Sequence, residues 1–221
     1  WGYFKPQFRA RHLSYSLDAG QQSRLLDSDP SVSVPVYSID TGIFLERNSG
    51  WLNNYKQYFA PRLFYVRADY KDQSNLPDFD TREFTPSYDL LFRENRFNGG
   101  DRISDENRLT LAFTTLYIDQ STGQERFRAR VAQSIYYDDR RVTLAADPSM
   151  EELDELSRNQ SPLSIEWAAR ISKDWRITSD VIYDNHDNEL EKSSLGVRYN
   201  NGQNQLLNFT YRYTRRPPRL V

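Results

Sequence analysis

The stretch QERFRARVAQSIYYDD, residues 124–139, places Arg126, Arg128 and Arg130 at every second position. A guanidinium is a permanent cation with a planar fork of donors suited to carboxylates and phosphates. Spaced by two, such groups project from one side of an extended chain. Two chemistries are open to them. They attract phosphates on an anionic ligand, or they solvate their face and pair with acids on neighbouring strands such as Glu166. Other polar clusters point to less. YKDQSNLPDFDT carries Asp72, Asp78 and Asp80 but lacks the glycine and distal glutamate of an EF-hand, so it reads as an ordered surface loop rather than a metal site. FNGGDRISDEN has Gly99 and Gly100, yet no GK[ST] and no helix start follow. It reads as a folded loop cap held by pairing among Arg93, Arg96, Asp101, Arg102 and Asp105. His186, between Asp184 and Asp187, reads as a solvated loop residue, and His12 beside Arg11 shows no partner. No nucleophile–base spacing emerges from the serines and histidines. The expectation is no enzyme, with no catalytic, metal or cofactor site.

The elements that position the arginines are strands. Phe127, Ala129, Val131, Ile135 and Tyr137 alternate with Arg126, Arg128, Arg130 and Ser134. Similar alternation recurs at 2–17, 34–46, 55–68, 106–118, 125–137, 162–172, 175–185, 189–200 and 204–215. Glu166 and Arg170 oppose Ile165, Trp167 and Ala169, and Arg212 opposes Tyr211 and Tyr213. About nine strands result, long against the ~5–6 residues of an ordinary strand and close to the ~9–11 that cross a bilayer. Connections alternate in length. NSGWLNN, QSTGQ, SKDW and NNGQ are short, whereas 18–33, 70–105 and 140–161 are long, with one compact exception at 186–188. Asn201-Gly202 signals a two-residue hairpin. One short helix is expected within 147–159, with Asp147 as N-cap and Pro148 first. Tyr136, Tyr137, Trp167, Trp175, Tyr183, Tyr199, Tyr211 and Tyr213 gather toward strand ends, as in the aromatic girdles of membrane barrels.

These features predict an all-β fold: an arc of an antiparallel transmembrane β-barrel with short periplasmic turns and long extracellular loops. Arg126, Arg128, Arg130, Glu166, Arg170 and Arg212 then face the lumen. At a lipid midplane each arginine would cost ~2–4 kcal/mol. Gly50, Gly123, Lys173 and Gly202 fall on the periplasmic side, and Gln22, Gly99 and Glu152 outside. Single-chain bacterial barrels are even-numbered, so about nine strands read as one part of a larger barrel with two raw edges. The chain begins at Trp1 and reads as a mature segment or fragment. Net charge of -2 offers no case for nucleic acid, and zero cysteines exclude thiol chemistry within these residues. A soluble antiparallel sheet with one solvated face produces the same alternation. Two segments fit poorly. In 106–118, Arg108, Thr110, Ala112, Thr114 and Leu116 form only a weakly polar face. In 2–17, apolar residues switch parity between Phe8 and Leu13, which predicts a bulge.

Four stretches carry a family resemblance: PVYSIDTGIFLER (35–47), APRLFYVRADYKDQSNLPDFDT (60–81), LLFRENRFNGGDRISDENRLTLAFTT (90–115) and RFRARVAQSIYYDDRRVTL (126–144). They resemble the LptD family of LPS-assembly proteins, also called OstA or Imp. The resemblance is strongest over 35–144 and looser beyond. DYKDQS stands where the family has PYRDQS. The resemblance implies a cell outer-membrane barrel of ~26 strands that inserts lipopolysaccharide into the outer leaflet. It implies an LptE-like lipoprotein plug in the lumen, outer-membrane lipid around the wall, and periplasmic LPS-bridge proteins met through an N-terminal domain not contained in these residues. The family's disulfide cysteines and lateral exit are also expected outside them. The alternatives are a porin-like outer-membrane diffusion channel and a soluble β-sandwich binding module.

Overall fold

The computed structural model describes residues 1–17, 28–48 and 54–215. Its strands are β1 (Gly2–Ser14), β2 (Ser31–Ile43), β3 (Leu45–Asn48), β4 (Tyr55–Ala68), β5 (Arg82–Glu83), β6 (Phe97–Asn98), β7 (Glu106–Asp119), β8 (Glu125–Tyr136), β9 (Leu163–Arg170), β10 (Trp175–Asp184), β11 (Glu189–Asn200) and β12 (Leu206–Thr214). One antiparallel sheet runs β1-β2-β4-β7-β8-β9-β10-β11-β12, with β3 continuing β2 beside β4. The sheet is open, with β1 and β12 at its edges. Each neighbour in space is the neighbour in sequence among the long strands, which makes the sheet an up-and-down meander. β5 and β6 form a small hairpin of their own inside the 69–105 connection.

Register sorts the residues into two faces. Arg62 pairs with Ala112, Ala112 with Ala132, Arg130 with Glu166, Glu166 with Asp180, Asp180 with Ser194 and Ser194 with Arg212. Directly opposed residues share a face. Polar side chains thus continue across the sheet on one side. The other side carries exposed Phe8, Tyr37, Leu63, Phe113, Leu195, Phe209 and Tyr211. Phe8 packs on Tyr37 at 5.1 Å, Phe59 on Phe113 at 6.0 Å and Trp175 on Tyr199 at 4.9 Å between ring centroids.

The core is asymmetric. Connection 69–105 folds down onto the polar face at the end where the long loops lie. Val32, Val34, Val36, Phe64, Val66 and Ala68 of the sheet are buried there against Leu76 and Ile103 of the connection. This explains the parity switch in β1. The strand pairs with β2 from Gly2–Ile43 to Ser14–Ser31 without a shift, so the expected bulge is absent. Leu13 is apolar on the polar side because the connection covers that end, and it packs against the core. Register does shift in two other pairs, at Tyr117/Ile118 and at Ile182/Tyr183.

Three further expectations are corrected. Asn201-Gly202 does not make a two-residue turn. The strands close at Asn200–Leu206, and positive φ falls on Gly202 (74°) and Asn204 (74°), which are not adjacent. The Asn201 side-chain carbonyl instead accepts from the amides of Gln203 and Gln205, favouring the longer loop. Helix α1 (Met150–Ser157) is capped by Ser149, whose hydroxyl accepts the Glu152 N–H at 3.2 Å, so Asp147 and Pro148 precede it. Tyr136 sits opposite Arg108 on the polar face, because adjacent residues of a strand point to opposite sides. Gln22 and Gly50 lie outside the described residues.

Candidate functional site

The cap expected around FNGGDRISDEN exists, and its charges divide into internal fasteners and anchors to the sheet. Asp101 is the central internal acceptor. Its Oδ2 takes the amides of Phe79 (2.7 Å) and Asp80 (3.0 Å), and its Oδ1 takes the Tyr15 hydroxyl (2.7 Å). Burial opposes ionisation of Asp101, but these donors prevail and hold its carboxyl below the usual range. Burial, followed by the bond to Asp101, pushes the Tyr15 hydroxyl upward. Arg102 is buried and donates to the carbonyls of Pro77 (2.8 Å), Asp101 (2.9 Å) and Leu76 (3.1 Å). Gly99 adopts φ 87°, and a Cβ there would lie 2.6 Å from Asp80 Oδ1. Asp80 Oδ1 in turn accepts the Gly100 amide at 3.2 Å.

Asp72 and Asp78 serve other turns, accepting the amides of Ser74 and Thr81, each at 3.0 Å. Hydrogen bonds from Ser74 hold Asp72 below the usual carboxylate range. The three aspartates therefore do not converge, and no acid or histidine group suited to a metal ion occurs among the described residues. Arg93 forms no ion pair among the described residues. It stacks 4.3 Å over Phe84 and lends its carbonyl to Arg108.

The anchors reach across several strands. Glu94 is buried against β1 and β2, where Ser38 donates to it at 2.7 Å and Arg9 and Arg11 lie at 3.3 and 3.6 Å. Arg62 grips Asp40 with two bonds, at 2.9 and 2.8 Å, while stacking 3.8 Å over Phe92. Arg108, buried beside Glu106, donates to the Leu91 carbonyl at 2.6 Å. Arg130 binds Glu166 through Nε at 2.7 Å, approaches Asp89 at 3.6 Å and covers Tyr88 at 4.3 Å. Arg96 meets Asp105 at 3.3 Å and donates to the Val142 carbonyl. Asp105 also accepts the amides of Arg141 and Val142, at 2.7 and 3.1 Å. The cap is thereby joined to the next long connection, 137–162. Arg158, at the end of α1, extends the chain of contacts to Asp184 (2.6 Å) and Asp187 (3.1 Å) at the β10–β11 turn.

The arginines of the opening stretch divide by role. Arg128, Arg130, Glu166, Arg170 and Arg212 share the capped face. Arg126 sits at the register shift and pairs with Asp119 at 3.2 Å, so it fastens the β7–β8 hairpin. Sequence reasoning left Arg108, Arg62 and Glu94 out of the site. Arg108 stood on the face that fitted poorly, and only the placement of the cap explains it. His12 does find a partner: its Nδ1 lies 2.8 Å from Ser33 Oγ across the β1–β2 pair.

Taken together, the geometry is a long-stranded meander, bare and apolar on one side, polar and capped by its own loop on the other. The LptD family pattern, described as LPS transport system D, matches residues 1–220. The chain belongs to the LptD family. LPS-assembly protein LptD of Hahella chejuensis is 38% identical over 216 residues, covering 97% of this chain and 26% of that protein. The protein of the same name from Pseudomonas syringae pv. tomato is 38% identical, over 96% of this chain and 24% of its own length. That of Alcanivorax borkumensis is 36% identical, over 90% and 25%. The chain thus spans about a quarter of the relatives it matches. Within it, the LptD-like stretches 60–81 and 90–115 are β4, the cap and β7.

Proposed function

We propose that this chain is a wall segment of an outer-membrane barrel that transports lipopolysaccharide and assembles it into the outer leaflet. The observation that carries this reading is the two-sidedness of the sheet. A large exposed apolar face on a single layer needs a cover, and lipid supplies one without a second protein layer. The opposite face holds buried charges, many of them ion-paired, under a folded loop, as suits the inside of a barrel. Strands of 12–14 residues in β4, β7 and β8 are long enough to span when tilted. Amphipathic cargo needs a polar route for sugars and phosphates beside an apolar route for acyl chains. No nucleophile is required, since no bond is made or broken.

On this reading Arg128, Arg130, Glu166, Arg170 and Arg212 face the lumen. The cap closes the outer mouth, and an LptE-like lipoprotein occupies the remaining space. The periplasmic LPS-bridge proteins dock elsewhere on the whole protein. Family membership supports this assignment over a diffusion channel. Deleting residues 76–100 in the complete protein tests it. A cell dependent on that variant should become permeable to large hydrophobic antibiotics and accumulate lipopolysaccharide inside the envelope. An unaltered barrier with normal surface lipopolysaccharide would contradict the role given to the cap.

A further inference from the structure

At the capped end of the polar face the charges are paired; at the other end Arg126 pairs with Asp119, but three arginines further along do not pair. Arg170 lies directly opposite Arg176, and Arg176 directly opposite Arg198, on three adjacent strands. Opposed residues bring their Cβ atoms to ~4.5–5.5 Å, and like charges so placed repel. None of the three forms an ion pair among the described residues, and the Arg170 Nε is buried without a hydrogen-bond partner. Of the acids sharing this face on β9 and β10, Glu166 pairs with Arg130 and Asp184 with Arg158, whereas Asp180 meets only the neutral Ser194 hydroxyl, at 2.7 Å. Arg128 leans to Glu125 at 3.7 Å, and Lys173 and Asp174 occupy the β9–β10 turn.

Between the bare arginines and the neutralised row runs a line of small residues: Ala168, Thr178, Gly196 and Thr210. Gly196 keeps it low, since a Cβ there would meet Thr178 Oγ1 at 2.8 Å. A hollow of about 150 Å³ opens beside it, lined by Arg128, Arg130, Arg176 and Thr178 and also by the carboxylates of Glu166 and Asp180. Three forked donors beside a low floor, outnumbering the carboxylates of Glu166 and Asp180 nearby, complement a group that is anionic and rich in acceptors. Guanidinium forks match phosphate oxygens in this way.

We propose that Arg170, Arg176 and Arg198 form a binding row for the phosphate groups of the lipopolysaccharide head, at the short-turn end of the face and apart from the cap. This rests on the transport reading above and adds where the phosphates are held. The row balances its own repulsion only when occupied, so it favours a loaded state without a deep pocket.

The test uses the complete protein, purified in detergent. Two probes are compared: lipopolysaccharide, and the same preparation after enzymatic removal of its phosphates. The variant changes Arg170, Arg176 and Arg198 together to Gln, and a companion changes them to Lys. Folding is followed by heat-modifiable gel mobility, and Arg176→Gln alone, at an exposed position, carries the same comparison should the triple variant misfold. Removing charged hydrogen bonds should weaken binding of the phosphorylated form by about tenfold or more. The dephosphorylated form should bind both proteins alike, and the Lys variant, which restores charge without the fork, should recover only part of the affinity. Equal effects on the two probes, or no effect on either, would overturn the row while leaving transport intact. Inorganic pyrophosphate binding as tightly as lipopolysaccharide would overturn the lipid head as its occupant. Failure of the unaltered protein to bind either probe would instead remove the transport reading on which the row depends.

Discussion

Arg102 shows why the cap needs guanidinium chemistry and not charge alone. Its fork reaches three backbone carbonyls, at 2.8, 2.9 and 3.1 Å, none of them ionised. Lysine keeps the charge but lacks the planar fork, so Arg102→Lys should loosen the cap by about 1–3 kcal/mol through unmet acceptors. Faster amide exchange in 69–105, with strand amides unchanged, is the expected readout. Asp101 makes the cap acid-sensitive. Its folded pKa lies below the ordinary value. The stability it lends is therefore present above the unfolded pKa, near ~3.9, and is lost as pH falls through the lower folded value. Exchange at Phe79 and Asp80 should accelerate below about pH 4 in the unaltered protein. Asp101→Asn should exchange fast already at neutral pH and change less with acid; equal acid sensitivity in both would contradict the assignment. At this scale the sequence was partly legible. Asp101 and Arg102 were identifiable as cap residues from polar density around two glycines. Their partners were not, because most are backbone groups that any residue supplies.

At the scale of elements, small residues in β7 and β8 do what large ones do elsewhere. Ala112 and Ala132 are opposed and buried beneath Tyr88, with Leu91 and Phe92 packed at the margin. Thr110 and Ser134 bond to each other at 2.7 Å, and Thr110 also donates to the Leu91 carbonyl at 2.8 Å. The short 3-10 turn Asp89–Phe92 fits the space these residues leave. Ala112→Leu should overpack this contact at about 1–3 kcal/mol and lift the turn. A protease site near residue 90 should then become accessible while the sheet stays folded; unchanged resistance would show that the turn tolerates the added volume. The long strands were legible because period two persists through them. The weak face of β7 and the parity switch of β1 misled for one reason. Both lie under connection 69–105, which folds back over the sheet, and alternation cannot register such a cover.

At the scale of the whole molecule, the account is one of sidedness. Among the long strands each connection joins neighbours in the sheet, so alternate connections lie at opposite ends. Turns 120–124 and 171–174 share one end, and connections 69–105 and 137–162 share the other. The sequence reading assigned the first end to the periplasm and the second to the exterior. An epitope at Glu152 should accordingly be reached by antibody on intact cells, and one at Gly123 only after the outer membrane is opened. Labelling of Gly123 but not Glu152 on intact cells would invert the orientation. The central claim concerns faces rather than ends. Val131 lies on the bare face between Phe113 and Ile165, whereas Arg128 lies on the polar face between Leu116 and Ala168. Single cysteines at Val131 and at Arg128 in the complete protein, each carrying a fluorophore, are compared in bilayers containing lipid-borne quencher. The account predicts strong quenching at 131 and weak quenching at 128; quenching at 128 without quenching at 131 would contradict it.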